Sequence, residues 1–331
     1  MELKNNRILQ KTLELVKYFA VPIGIYLLLT VLMPEKIFLN NIDYLFVQAV
    51  MPAVLAWGAS FNMTAGHSDF SLGASALFAS IVGGNLAMKL GMGPLGLLIF
   101  CPLAGMVCSG LTGGIFILLK IPCLIVSIGV MLIMESVSSM LFNGGVMLTP
   151  DYIIFGSTGP TLLFGAVVFA IAYYLFNFRV IGYHINALRG NPTVAKMCGL
   201  NVDKTRFLCF LCVGFFVGMY AALSLGTSGV AKPVNAMGTM RTAFNAIMCF
   251  IVGTSAGKKL NPIIATVLGA LYMQLVQLVL TAINCPSVFS QAIIASFVLS
   301  VMLVSSVNEN NQRRKLHKQM FEKAMAEEQL A

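Results

Sequence analysis

Apolar runs of about twenty residues follow one another almost from end to end of this chain, separated by short polar breaks, and nothing else in it limits the fold so severely. A bilayer core about 30 Å thick takes roughly 20 apolar residues per helix, whereas a soluble domain has no means of hiding so many. The runs lie at 18–33, 43–62, 71–88, 94–119, 122–142, 160–178, 207–226, 242–256, 262–283 and 288–307. They predict an all-α fold: a polytopic membrane helix bundle with about ten transmembrane helices. Composition agrees, since 58% of the 331 residues are hydrophobic and 10% charged, against roughly a quarter charged in soluble chains. The first run follows a basic stretch (Lys4, Arg7, Lys11, Lys17) with no small-x-small cleavage site after it, so it reads as an uncleaved anchor.

Charge placement orients the bundle, because cytoplasmic loops retain Lys and Arg. With the N-terminus inside, seventeen of the 21 basic residues fall on the cytoplasmic side, and Lys36, Lys89, Lys232 and Arg241 remain for the other. Both termini are therefore expected in the cytoplasm. The net charge of +9 is the bias of a protein facing anionic membrane lipid and calls for no nucleic-acid partner. One transmembrane domain is expected over 1–307, with a main cytoplasmic loop at 179–206 and a charged cytoplasmic tail at 308–331.

Two polar, glycine-bearing stretches sit in corresponding places of the two halves, Asn62 to Gly73 and Gly253 to Lys259. Paired interruptions of this kind mark broken helices in duplicated transporters, although two ordinary turns between hairpin helices would look the same. Within the first stretch, Asp69 is placed to cap a helix starting at Ser71. Glu135 lies in an apolar run among Ser136, Ser138 and Ser139, a polar stripe expected to face other helices or a passage. His67 and Arg241, at the edges of predicted spans, are the other ionisable candidates. Asn62, Ser138 and Asn245 are the polar side chains placed to meet a solute in such a passage. In the main loop, Asn191 is a candidate N-cap with Pro192 at the first helical position, and Gly199 can end the same segment. These signals predict a helix of about two turns.

Several chemistries are excluded by context. The eight cysteines mostly lie in apolar runs, and Cys209 and Cys212 form a C-x-x-C without a second pair, so no metal is expected. Gly253 to Gly257 fits G-x-S-x-G and Gly226 to Gly229 fits G-x-S-G, yet apolar helices supply no strand-to-helix elbow, and His67 is the lone histidine near a span. There is no H-E-x-x-H and no phosphate-cradling G-x-x-x-x-G-K-[ST]. No catalytic residue and no cofactor is expected, and ATP-driven transport would need a separate ATPase.

Two segments together carry a family likeness. Gly66-His67-Ser68-Asp69-Phe70-Ser71-Leu72-Gly73 resembles the pattern G-G-I-D-L-S-V-G, with His67 in place of the second glycine. Gly182, Ala187 to Asn191 and Ala195 to Val202 resemble Y-A-I-G-G-N followed by A-x-x-x-G-I-N-V. On these motifs the chain resembles the permease subunits of ATP-binding cassette importers of the ribose/galactose type, in the larger group that includes branched-chain amino acid permeases. The likeness implies a small polar solute, most simply a monosaccharide, crossing the cytoplasmic membrane of a bacterium. It also implies ATP-binding cassette ATPase subunits, a second permease subunit and an extracytoplasmic solute-binding protein as partners. Gly66, Asp69, Ser71, Gly73 and Gly253 then belong to the translocation path, and Gly190, Asn191, Ala195 and Gly199 to the element that meets the ATPase. The pattern E-L-D-A-I-A-A-V-V-L-G-G-T-S is met by Thr242 to Ser255 with both acids absent. An ion-coupled carrier using Asp69 and Glu135 is the alternative reading.

Overall fold

The computed structural model describes residues 18–31, 42–257, 260–286, 289–303 and 307. The basic stretch from Lys4 to Lys17, Lys36, Lys258, Lys259 and the tail from Asn308 lie outside the described residues.

Each of the ten apolar runs coincides with a helix. The first six are α1 (Tyr18–Val31), α2 (Ile42–Thr64), α3 (Leu72–Lys89), α4 (Gly93–Leu119), α5 (Cys123–Met140) and α6 (Thr158–Phe178). The main polar loop forms α7 (Val180–Gly190) and α8 (Pro192–Met197). The remainder are α9 (Val202–Ser228), α10 (Met240–Ala256), α11 (Pro262–Ala282) and α12 (Phe289–Leu303). Seven of them, α2 to α6, α9 and α11, are long and apolar enough to cross a membrane, which makes this a multi-pass membrane protein. The outward faces stay apolar, as lipid requires: Leu118, Met140, Leu163 and Phe178 are all exposed.

The pairing of α4 with α9 is the most extensive helix contact. Lipid tails are as apolar as leucine, so helices in a bilayer associate through close backbone approach at small residues. Gly214 and Gly218 on α9 meet the backbone of α4 directly. A Cβ on Gly214 would lie 2.5 Å from the Gly105 carbonyl oxygen, and one on Gly218 would lie 2.3 Å from that of Cys101. Trp57 donates through Nε1 to the carbonyl of Ile263 at 3.2 Å, tying α2 to α11.

The two ends of the bundle differ. One, the basic end, carries α7 and α8 together with Lys120, Arg179, Arg189, Lys196, Lys204 and Arg206. The other, the hairpin end, carries Lys89, Lys232 and a two-stranded antiparallel ribbon of β1 (Val146–Met147) and β2 (Val230–Ala231). Tyr152 donates its hydroxyl to the carbonyl of Ala87 at 3.3 Å, and Asn85 donates to that of Gly145 at 3.1 Å, so the 141–157 segment is strapped onto α3.

Not every element runs from face to face. The Ser71 hydroxyl meets that of Thr112 at 3.3 Å, and Thr112 is two turns, about 11 Å, short of the end of α4. The start of α3 is thus recessed from the basic end. The start of α10 is recessed beside it: a Cβ on Gly73 would lie 2.1 Å from the carbonyl oxygen of Thr239, the residue before α10. At 17 residues, or about 25 Å, α10 is too short for a full crossing, because it begins inside the bundle.

Candidate functional site

The junction of these two helix starts gathers most of the residues singled out for the passage. Gly66 turns the chain out of α2 with φ +86, in the left-handed region open to glycine. Asp69 is buried, and one carboxylate oxygen accepts from the Ser71 N–H at 2.8 Å and from its hydroxyl at 2.7 Å. Asn62 donates to the other oxygen at 3.5 Å. Asp69 therefore acts one residue earlier than the sequence suggested: Ser71 is itself the residue before α3, and the carboxylate fixes that residue in place of capping a deeper N–H. Gly73 is required by contact, since any side chain would collide with Thr239.

Glu135 completes the junction from α5. Its carboxylate accepts from the N–H of Met237 at 3.0 Å, the N–H of Thr239 at 2.9 Å and the Thr239 hydroxyl at 2.5 Å. These donors belong to an irregular strand of chain, 229–239, that descends from β2 into the bundle with Ala236 at φ 59 and Met237 at φ 64. Non-helical backbone at membrane depth persists only where protein satisfies its polar groups, and Glu135 does so here. The expected serine stripe is half present. Ser138 is buried beside Glu135, but Ser136 is exposed, and Ser136 and Ser139 bond back to their own helix.

The second interruption is corrected by the structure. Gly253 lies inside α10, which continues to Ala256, and it is a packing residue: a Cβ there would sit 2.0 Å from the carbonyl of Ala265 on α11. The irregular segment of the second half is 229–239 instead. Arg241, assigned to the outer loops by charge counting, is the second residue of α10 and exposed at the level of the junction. Asn245, one turn on, is half-buried on the same helical face, and Phe244 packs edge-on against Phe70 at 5.0 Å. The Asn62 side-chain oxygen and the Ser138 hydroxyl are buried without a partner among the described residues.

At the basic end, α8 forms as its caps predict. Asn191 accepts from the N–H groups of Thr193 at 2.9 Å and Val194 at 3.3 Å, with Pro192 at the first helical position. Gly199 closes the helix at φ +86, donating to the carbonyl of Lys196 at 3.0 Å, while Leu200 donates to that of Ala195 at 3.1 Å. This paired bond pattern needs a left-handed residue, hence glycine. Gly190, Asn191, Ala195 and Gly199 line one cleft of about 670 Å³ on this face. Val194 and Met197 stand exposed beside it, and an added Cβ at Gly190 would meet nothing within 4 Å.

The family described as "Branched-chain amino acid transport system / permease component" matches residues 41–307. The chain belongs to this family. Among its relatives, the ribose import permease protein RbsC of Haemophilus influenzae is 23% identical over 87% of this chain and 92% of its own length. The L-arabinose ABC transporter permease protein AraH of Azospirillum brasilense is 23% identical, covering 86% of this chain and 85% of its own. The galactose/methyl galactoside import permease protein MglC of Escherichia coli is 22% identical, over 86% and 94%. The likeness read from the two motifs is thus borne out along nearly the whole permease. Reading the sequence missed the role of Glu135 toward 229–239, which joins residues a hundred positions apart. It also missed the recessed start of α10, for which Pro233 and Gly238 were the available signal.

Proposed function

We propose that this permease is the membrane subunit of an ATP-binding cassette importer for a monosaccharide-sized polar solute, energised by ATPase subunits docked on α7 and α8. The supporting observation is that the four residues carried over for coupling come together in one solvent-facing cleft whose apolar rim is uncovered among the described residues. The basic end is then cytoplasmic, both termini are cytoplasmic, and the extracytoplasmic binding protein delivers solute at the hairpin end. A second permease subunit completes the pathway. Ribose, arabinose and galactose in the names of the relatives point to a sugar.

The mechanism follows from how the elements are joined. α7 packs on α6, α9 and α2, and α9 packs on α3 and α4. Movement of α8 by a closing ATPase dimer is carried along these rigid helices to the junction, where α3 and α10 meet with only Gly73 between them. Alternating access is the rocking of such packed bodies about interior breaks. Asn62, Ser138 and Asn245 are the side chains assigned to meet the solute. Asp69 and Glu135 are engaged in holding helix starts, and no observation favours their use as ion-coupling carboxylates.

Gly190→Leu tests the docking face. The position is open, so insertion and thermal stability should match wild type, whereas solute-stimulated ATP hydrolysis by the assembled complex should fall about tenfold or more. Undiminished hydrolysis would falsify the assignment of this face.

A further inference from the structure

A cavity distinct from the α7–α8 cleft opens at the basic end, with a volume of about 710 Å³. His67 and Ser68 line it from the turn after α2, Lys120 from the end of α4, and Asp203 and Arg206 from the first turns of α9. It adjoins the translocation junction through Gly66, which also lines it, and shares no residue with the docking face.

Three features there are individually unfavourable. Lys120 holds a left-handed conformation, φ 54, as the residue closing α4. Glycine is the usual occupant of such a position, since a Cβ there costs about 1 kcal/mol. Arg206 lies over the Phe116 ring with its guanidinium carbon 5.6 Å from the centroid, and its Nε is buried without an acceptor among the described residues. Its nearest carboxylate, Asp203, is 3.9 Å away and largely exposed. His67 packs edge-on against the same ring at 5.0 Å, and its Nε2 is also buried and unpaired among the described residues. Burial, with the adjacent Arg206 charge, pushes the His67 pKa down to about 4, so the ring is neutral at physiological pH.

The two nitrogens gain a partner from the same ligand, and Lys120 stands on the cavity wall to add charge. A tetrahedral dianion brings several acceptor oxygens, which a guanidinium and an ammonium bind more strongly than neutral donors do. We propose that this cavity binds a phosphoryl group, with Arg206 and Lys120 supplying charge and the His67 imidazole and Ser68 hydroxyl supplying neutral hydrogen bonds. Asp203 partly offsets the positive field and stands nearest to Arg206, which leaves a net positive site sized for a phosphate monoester. A free phosphate compound and a phospholipid headgroup share this chemistry. The inference holds whether or not α7 and α8 dock an ATPase.

The test is thermal unfolding of the purified full-length chain in detergent, with inorganic phosphate or glycerol 3-phosphate compared against sodium chloride at matched ionic strength. Phosphate should raise the Tm beyond chloride, and Arg206→Gln should weaken the apparent affinity about tenfold or more. Lys120→Gly separates binding from folding: relieving the left-handed residue should keep the unliganded Tm equal or higher while the phosphate-dependent rise disappears. Short-chain phosphatidylglycerol in the same assay identifies the source, a lipid headgroup if it saturates below phosphate and a soluble compound if above. A wild-type response no larger than that to chloride, or an equal phosphate response in Lys120→Gly, overturns the site.

Discussion

Glu135 shows how a single side chain can carry a cost that no local pattern reveals. A carboxylate in a membrane span is expensive, and this one persists because three donors from 229–239 converge on it. Removing it strands the buried N–H of Thr239 and the part-buried N–H of Met237, a buried group costing about 1–3 kcal/mol when left unpaired. Glu135→Ala should therefore lower unfolding stability in detergent by about 3 kcal/mol, and Glu135→Gln, which keeps one acceptor oxygen, by clearly less. His67 gives a pH signature of defined sign. Its folded pKa of about 4 lies below the ordinary 6.5, so the unfolded chain binds the extra proton between these values. Stability from this group is complete above pH 6.5 and is lost as the pH falls toward 4. The Tm of wild type should drop across that window, and His67→Gln should flatten the drop.

At the scale of elements, α8 and α10 are opposites. The start and stop of α8 were written in adjacent residues: Asn191 and Pro192 open it and Gly199 closes it, all through bonds within three or four positions. Gly199→Val should force a branched side chain into φ +86, costing about 1–2 kcal/mol locally. Hydrogen exchange over residues 192–200 should quicken accordingly, while Gly190→Ala leaves it unchanged. The start of α10 had no such local signature. It begins where Thr239 meets Glu135 and Gly73, contacts from α5 and α3 that no window of neighbouring residues contains.

For the molecule as a whole, the unequal ends are the feature that function depends on. Lys and Arg concentrate around α7 and α8, and the proposed cytoplasmic placement of that face rests on the positive-inside bias. Cys198, exposed on the C-terminal side of α8, is a natural reporter. A membrane-impermeant maleimide should label it in inverted vesicles and not in intact cells, with Cys198→Ser removing the signal. Labelling from outside would invert the proposed topology and with it the site of ATPase docking. The assembly of the bundle depends on backbone contact more than on apolar area: Gly105, Gly214 and Gly218 let α4 and α9 touch, and in lipid that contact has no hydrophobic substitute.

By itself the sequence determined that this chain crosses a membrane repeatedly, where its apolar helices lie, where the capped helix of the main loop lies and which family of permeases it resembles. All of these follow from hydrophobic run length, charge placement and caps, which act over a few residues. Tertiary structure alone decided that Gly253 packs inside a helix, that 229–239 descends into the bundle, and that Glu135 on α5 holds the start of α10. Buried polar groups at membrane depth must find partners within the protein, and those partners come from chain segments far apart in sequence.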